Sequence, residues 1–280
     1  MTETLTPEGT SKFVTTKLHR LHYNEAGSGH PIVMLHGSGP GATGWSNFNP
    51  NIGPLAEHFR VLAFDMPGWG ETTDLEPDGQ RDHVEALLLA LDELGIERAA
   101  LVGNSMGGMT SIRFAIEHPG RISHLIAMGP AALGMNIFSP GGGMSEGMKI
   151  LLETYADPSP ANFKRLVSVM AFDQSFATDE LAQQRSANAL AHPEHLTSFG
   201  SAMKSIAAYF GLAHRLAEIT APTLAIHGRD DRTVHFENSL RLVAAIPDSR
   251  LVLFNRCGHW AQLEHAAEFN RLVGQFVSNH

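Results

Sequence analysis

The stretch Ala99-Ala-Leu-Val-Gly-Asn-Ser-Met-Gly-Gly-Met109 joins an apolar run to a helical pattern through a glycine-rich turn. The run 99–102 is typical of a buried strand, and the apolar spacing from Met109 onward is typical of a helix. The turn matches Gly-x-Ser-x-Gly, in which small residues allow a sharp strand-to-helix turn that presents the serine beside a helix amino end. We therefore predict that Ser105 is a nucleophile; outside this context the motif indicates an ordinary turn serine.

Further apolar runs alternate with helical patterns on both sides of this stretch. Together with 99–102, short apolar runs predict buried strands at 31–35, 61–64, 124–128, 222–226 and 251–254. Apolar residues at helical spacing predict helices at 82–94, 109–117, 239–245 and 264–277. This order predicts the α/β class, with a doubly wound and mostly parallel sheet.

The alternation stops between about residues 130 and 220, where helical patterns follow one another. We predict an α/β core of residues 1–130 and 220–280, with a helical cap of residues 131–219 inserted after the strand near 124–129. Turn and capping signals occur at 140–143, 157–160 and 178–180. The apolar residues of this cap either line a pocket or pack the cap against the core, and packing is the expected role of each one taken alone. They are Met144, Met148, Phe163, Met170, Phe172, Phe176, Phe199 and Met203.

A serine nucleophile needs a base and an acid that orients it, expected in the chain order Ser, Asp, His. His259 follows the last predicted strand, at the carboxyl edge of the sheet, and is the predicted base, with a packed loop histidine as the alternative. The preceding strand ends at Gly228-Arg-Asp-Asp-Arg-Thr-Val234. The spacing Gly-x-x-Asp-x-x-Val favours Asp231 as the acid and leaves Asp230 as a turn or surface ion-pair residue.

The first glycine-rich loop, His36-Gly-Ser-Gly-Pro-Gly41, is the candidate partner for an oxyanion. We predict that the backbone N–H groups of Ser38 and Met106 form the oxyanion hole. A dinucleotide-binding interpretation competes, because residues 39–44 match Gly-x-Gly-x-x-Gly and Asp65 follows about twenty residues later. We disfavour it because Gly37 holds the strand end and residues 45–48 are expected to continue as loop.

Composition narrows the function classes. The 280 residues carry 20 Lys+Arg and 29 Asp+Glu, so the charge of -9 disfavours nucleic acid and anionic membranes as partners. No apolar run reaches the ~20 residues of a membrane helix. The polar start, the single Cys257 and the absence of Asn-x-Ser/Thr predict a cytoplasmic protein. His192 and His195 have no further ligand clustered in sequence, so we expect solvated histidines and no metal.

These motifs resemble those of a known family, the serine-dependent C–C bond hydrolases of the α/β-hydrolase fold that act on aromatic meta-cleavage products. The resemblance spans nearly the whole chain. It rests on His36-Gly-Ser-Gly-Pro-Gly41, Gly44-Trp-Ser-Asn47, Val102-Gly-Asn-Ser-Met-Gly-Gly108, Met128-Gly-Pro130, Gly228-Arg-Asp-Asp-Arg232 and Cys257-Gly-His-Trp-Ala-Gln262.

The resemblance implies a hydrolase of carbon–carbon bonds in ketonic substances that needs no cofactor. It would cleave 2-hydroxy-6-oxohexa-2,4-dienoates to 2-hydroxypenta-2,4-dienoate and a carboxylic acid, as a homodimer or homotetramer. Ser105, Asp231 and His259 would be the catalytic triad, and Ser38 and Met106 the oxyanion donors. Arg185 would bind the dienoate carboxylate, and Met170 stands where some relatives have an aromatic residue. The remaining substrate contacts would be Gly39, Asn47, Asn104, Ser175 and Trp260.

Two other functions stay open on the residues alone. A carboxylesterase or thioesterase would use the same triad without a cation for a carboxylate. A small-molecule receptor would use the fold for binding without fast turnover. A haloalkane dehalogenase is disfavoured because its nucleophile is an aspartate, whereas the turn here holds Ser105.

Overall fold

The structure is a computed structural model that describes residues 5–74, 81–131, 143–205, 209 and 211–279. In the described chain the strands are β1 (Ser11–Thr15), β2 (His19–Ala26), β3 (Pro31–Leu35), β4 (Arg60–Phe64), β5 (Thr73–Asp74), β6 (Ala99–Asn104), β7 (Ile122–Met128), β8 (Thr223–Gly228) and β9 (Ser249–Phe254). They form one sheet in the order β1-β2-β4-β3-β6-β7-β8-β9, and β5 pairs with β2.

The described helices are α1 (Pro7–Thr10), α2 (Gly44–Ala56), α3 (His83–Glu93), α4 (Met106–Glu117), α5 (Glu146–Ala156), α6 (Pro160–Met170), α7 (Asp179–Ala191), α8 (Pro193–Ser205), α9 (Glu237–Ala245), α10 (Ala261–Glu264) and α11 (Ala266–Ser278). Short 3-10 turns lie at Pro119–Arg121, Gln174–Phe176, Leu212–His214 and Leu216–Glu218. In the described part of the chain, no helix has both the length and the apolar character needed to cross a bilayer.

The central strands are parallel and buried on both faces, which explains their continuous apolar runs. Successive side chains of β3 point to opposite faces. Val33 packs in the cluster that holds α3 and α4, whereas Ile32 and Met34 pack in the cluster that holds α2 and α11. The sheet therefore lies between two helical layers, as the predicted α/β class requires.

Two sequence predictions about the elements were wrong. Residues 45–48 are not loop, because α2 begins at Gly44. A capping box fixes this start: the side chains of Thr43 and Ser46 each accept the other residue's backbone N–H at 2.9 Å. The antiparallel pair β1–β2 was missed, because buried polar residues such as His22 and Asn24 interrupt its apolar pattern.

Between β7 and β8 the described residues form helices and no strand. We call α5–α8 the cap segment; the division into two domains stays a prediction. Of the apolar residues predicted to line a pocket or pack, Phe163 and Phe199 are buried, Phe176 is half-buried, and Met144 and Phe172 are exposed. The turn signal at 140–142 and the Met203 side chain lie outside the described residues.

Candidate active site

Ser105 lies in a strained turn between β6 and α4. Its backbone has φ 53° and ψ -112°, outside the regions that most residues adopt. Small neighbours permit this turn: a Cβ on Gly103 would collide with the Gly107 carbonyl, and one on Gly107 with the Leu35 carbonyl. The Ser105 side chain is partly exposed, so its hydroxyl is open to a ligand.

The predicted base and acid follow the two strands at the far edge of the parallel sheet. His259 follows β9 and Asp231 follows β8, and His259 Nδ1 lies 2.6 Å from Asp231 Oδ2. Both side chains are buried. Asp230 instead contacts Arg229 at 3.4 Å, so the geometry favours Asp231 as the orienting acid.

Asp231 is held as a carboxylate by further contacts. Its Oδ1 accepts the N–H groups of Thr233 and Val234 at 2.7 and 2.9 Å. Its Oδ2 also lies 3.2 Å from His227 Nε2. Burial by itself raises the pKa of Asp231, but the interactions with His259 and His227 outweigh it and hold the pKa well below its ordinary value. The acid can therefore orient the imidazole and stabilise the imidazolium.

The backbone at Gly258 and His259 is tied to the cap segment. The His259 N–H donates to the Met170 carbonyl at 2.6 Å. One oxygen of Glu264 accepts the Gly258 N–H at 2.7 Å, and the other accepts the N–H groups of Phe172 and Asp173. Burial raises the pKa of Glu264, although these hydrogen bonds lower it in part. Nothing in the sequence singled out Glu264, because its role depends on contacts distant in the chain.

The first glycine-rich loop runs beside the nucleophile. Its Ser38 carbonyl accepts the Tyr155 hydroxyl at 2.6 Å, and its Gly39 carbonyl accepts the Trp69 indole N–H at 2.9 Å. Among the described residues, no protein acceptor takes the backbone N–H of Ser38 or Met106. Both N–H groups are therefore free to donate to a ligand, and their role as oxyanion donors stays a prediction.

One cavity brings most of the predicted site residues together: Ser38, Gly39, Asn47, Asn104, Ser105, Arg185, His259 and Trp260 all line it. Asn104 is fully buried and its amide donates to the His259 carbonyl at 3.2 Å. Ser175 is not brought to this cavity. It is exposed in the 3-10 turn Gln174–Phe176, where its N–H donates to Asp173.

The sequence interpretation missed part of the cavity wall. Leu151 and Leu166 from the cap segment, and Thr233 after Asp231, line it beside Met148 and Met170, which were predicted only as pocket or packing residues. The apolar spacing in 146–170 predicts helices that bury one face. It does not indicate whether that face meets the core or a ligand.

Arg185 is the cation of this cavity. It is 5% exposed, and its guanidinium lies 4.7 Å from the centre of the Trp260 ring. Within the described ranges, no carboxylate pairs with Arg185, and its Nε has no hydrogen-bond partner. Burial lowers the pKa of Arg185 to about 10, so the side chain is still cationic at neutral pH. A buried cation without a counter-ion favours an anionic ligand.

A second group of polar side chains lies outside this cavity. The expectation that His192 and His195 lack a third ligand was wrong: Glu194 joins them, and one ligand atom from each lies within 4.8 Å of the others. His192 Nε2 also lies 3.5 Å from Glu71.

Comparison with known proteins agrees with the geometry. The family model described as the alpha/beta hydrolase fold matches residues 30–266. The chain is 47% identical to a 2-hydroxy-6-oxo-6-phenylhexa-2,4-dienoate hydrolase of Burkholderia cepacia, with 100% of both chains covered. It is 46% identical to a 2-hydroxy-6-oxononadienedioate/2-hydroxy-6-oxononatrienedioate hydrolase of Cupriavidus pinatubonensis, over 99% of this chain and 98% of the relative.

A solved meta-cleavage product hydrolase from Pseudomonas fluorescens superposes with a TM-score of 0.85 at 33% identity, over 95% of this chain and 97% of the other. The chain belongs to the meta-cleavage product hydrolases. The predicted family, fold class and reaction class are thereby confirmed, and the chain is a hydrolase of the carbon–carbon bond type. A helix does begin at Gly44, so the expected loop at residues 45–48 no longer counts against the dinucleotide-binding interpretation of residues 39–44.

Proposed function

We propose that this meta-cleavage product hydrolase cleaves the bond between C5 and C6 of a 2-hydroxy-6-oxohexa-2,4-dienoate. The products are 2-hydroxypenta-2,4-dienoate and the carboxylic acid that carries the C6 substituent. The observation that carries this proposal is the buried guanidinium of Arg185, with which no carboxylate of the described chain pairs, in the same cavity as Ser105 and His259. An ester of a neutral acid and alcohol has no anion to offer such a cation, whereas the dienoate has its C1 carboxylate.

Binding precedes the chemistry. Arg185 pairs with the C1 carboxylate, and Asn47, Asn104 and Trp260 surround the dienoate chain in the cavity. Proton transfer to C5 converts the dienol to its keto tautomer, with His259 as the proton shuttle. This step matters because cleavage then leaves the electron pair on a carbon that is conjugated with the C2 carbonyl.

Ser105 then attacks the C6 ketone while His259 takes its proton. The N–H groups of Ser38 and Met106 stabilise the oxyanion. Collapse breaks the C5–C6 bond and releases the dienolate, which is protonated to hydroxypentadienoate. Water, deprotonated by His259, attacks the acyl-Ser105 and frees the acid, and Asp231 stabilises the imidazolium in both halves of the cycle.

Replacing Arg185 tests the proposal against the esterase alternative. We expect Arg185→Gln to lower kcat/KM for the 6-phenyl dienoate by about 30-fold or more, since removing one partner of a buried charge pair costs about 2–5 kcal/mol. Cleavage of neutral 4-nitrophenyl acetate should change by less than about 3-fold, because that ester does not use the cation.

The matched control is Arg165→Gln, which changes an arginine of α6 that is exposed and pairs with Glu153. It should leave both rates unchanged. If Arg185→Gln lowers the dienoate and ester rates equally, or lowers neither, the cation does not recognise the C1 carboxylate and the proposed role of Arg185 is overturned.

Location and assembly are further parts of the proposal. The lone Cys257, which is buried, supports a reducing compartment such as the cytoplasm. The family resemblance implies a homodimer or homotetramer. Light scattering of the purified protein measures the assembly, and a monomeric mass at micromolar concentration would contradict it.

A further inference from the structure

The structure has a second and larger cleft, of about 490 Å³, beside the first glycine-rich loop. Pro40, Gly41 and Thr43 of that loop line the cleft, whereas Ser38 and Gly39 line the catalytic cavity. Neither Ser105 nor His259 lines the cleft. Any chemistry in it therefore belongs to other residues.

Three side chains of this cleft form a second relay from a hydroxyl through an imidazole to a carboxylate. Ser11 Oγ lies 2.9 Å from His22 Nε2, and His22 Nδ1 lies 2.8 Å from Asp65 Oδ2. All three residues line the cleft. These are the contacts that a serine nucleophile, its base and the orienting acid make.

The relay is rigidly held. Asp65 is 1% exposed, and its two oxygens accept the N–H groups of Gly44 at 2.7 Å and Glu71 at 3.0 Å. Ser11 and His22 lie on the paired strands β1 and β2. His22 is 8% exposed, whereas Ser11 is exposed, so the base is sheltered and the hydroxyl is accessible. The fold thus presents an oriented serine to a cleft that admits a small molecule.

We propose that Ser11 is a second nucleophile, which small activated aryl esters acylate. Ser11 Oγ bonds to the ester carbonyl carbon, and its proton passes to His22 Nε2. The bond from that carbon to the aryloxide oxygen breaks, and the aryloxide leaves with the proton. The products are acyl-Ser11 and a phenol.

The acyl group stays on Ser11 because, in the described chain, the hydrogen-bond donors next to Ser11 are occupied and so do not assist the attack of water on the ester. The Ser11 N–H donates to the Glu8 carbonyl, and the Asn24 amide donates to Pro7 and Thr10. These neighbouring donors are therefore occupied within the fold. Loss of one oxyanion donor slows acyl transfer by about 10²–10³-fold. Ser11 is therefore a site of slow acylation and accumulation of the ester, distinct from turnover at Ser105.

The test uses the full-length Ser105→Ala protein, in which the main nucleophile is absent. The protein is treated with 4-nitrophenyl acetate, and fragmentation of the peptide of residues 1–12 locates the acetyl group. We expect one acetyl on Ser11, formed at least about 10-fold faster than on Ser159, a partly exposed serine that hydrogen-bonds to Asp157 and, among the described residues, to no histidine. Adding Ser11→Ala should abolish this label, and adding Ser159→Ala should leave it.

A second variant tests whether Ser11 reacts because His22 activates it or only because Ser11 is exposed. His22→Gln keeps a hydrogen-bonding side chain beside Ser11 but removes the base, so acetylation of Ser11 should slow by about 10²-fold. Ser11 acetylation that is no faster than at Ser159 would overturn the proposal, as would no acetylation at all. Because the Ser105→Ala protein is used throughout, neither result depends on the dienoate function.

Discussion

Arg185 lowers the stability of the free protein and favours the binding of an anionic substrate. A guanidinium that is 5% exposed and has no carboxylate partner in the described chain has lost its hydration without an ion pair in return. Burial of an uncompensated charge costs several kcal/mol. The Trp260 ring offsets part of this cost, since a cation–π contact contributes about 0.5–2 kcal/mol.

We expect Arg185→Met to stabilise the free protein by about 1–3 kcal/mol while it abolishes dienoate turnover, because an apolar side chain of similar length fits the cavity without a desolvation penalty. Urea unfolding of the free protein at pH 7 measures the change in the free energy of unfolding. A destabilised variant would mean that Arg185 stabilises the fold. The burial of its charge would then no longer indicate that it binds the substrate carboxylate.

At the residue scale, sequence predicted those site residues that sit in a local motif. Asp231 and His259 follow strands at recognisable spacings, and the structure places them 2.6 Å apart. Ser175 was carried over from a resemblance in a segment without such a motif, and it lies exposed in a 3-10 turn. Glu264 was missed because it acts on backbone N–H groups from Phe172, Asp173 and Gly258 that only the fold brings together.

At the scale of elements, α5 links the cap segment to the first glycine-rich loop. Tyr155 lies near the end of α5, its ring stacks on Phe199 at 3.7 Å, and its hydroxyl donates to the Ser38 carbonyl. Burial raises the pKa of Tyr155 above its ordinary value, so the hydroxyl keeps its proton at neutral pH. Tyr155 therefore holds the backbone of Ser38 through its carbonyl oxygen. It is a positioning residue for the N–H of Ser38.

Tyr155→Phe should lower kcat about 5- to 10-fold with little change in KM, because a hydrogen bond of about 1 kcal/mol then no longer holds the oxyanion donor. Steady-state kinetics with the 6-phenyl dienoate measure both constants. Tyr209→Phe is the matched control, since its hydroxyl lies 3.5 Å from Thr110, outside the cavity. A rise in KM at constant kcat would contradict the positioning role and indicate a substrate contact.

The elements that sequence predicted least well are those in which polar groups are buried. In β2 the residues His22 and Asn24 are buried beside polar partners: His22 Nδ1 lies 2.8 Å from Asp65, and the Asn24 amide N–H groups donate to Pro7 and Thr10. These partners are distant in the chain or outside the strand, so an apolar pattern cannot reveal them. The parallel strands β3 and β6 were predictable because both of their faces are apolar.

At the scale of the whole molecule, the free energy of unfolding should fall at low pH, because the fold stabilises the ionised form of some carboxylates. Asp82 caps the start of α3. Its two carboxylate oxygens accept hydrogen bonds from the two terminal nitrogens of Arg113, Nη1 and Nη2, at 2.9 Å. Burial by itself raises the pKa of Asp82, but the hydrogen bonds and charge of Arg113 hold it below its ordinary value. A lowered pKa contributes stability above the unfolded-state pKa of about 3.9, and this contribution is lost as the pH falls.

Asp82→Asn should therefore lower the free energy of unfolding by about 1–2 kcal/mol at pH 7, after allowance for solvent screening of a partly exposed pair. The difference from wild type should shrink as the pH falls toward about 3. Urea unfolding at several pH values measures it. Asp179→Asn, which changes an exposed ion pair with Lys164, should cost less than about 0.5 kcal/mol. A difference that does not change with pH would show that the charge of Asp82 is not the cause.

The visible absorbance of a yellow 6-phenyl dienoate solution tests the central claim most directly. Wild type should bleach the solution, and Ser105→Ala should slow the bleaching by about 10⁴-fold or more while it still binds the dienoate, because only the nucleophile is removed. Wild type that bleaches neither this compound nor its alkyl analogues, and yet cleaves simple aryl esters, would contradict C–C hydrolysis of dienoates. Ser105→Ala that bleaches the dienoate as fast as wild type would contradict the role of Ser105 as nucleophile.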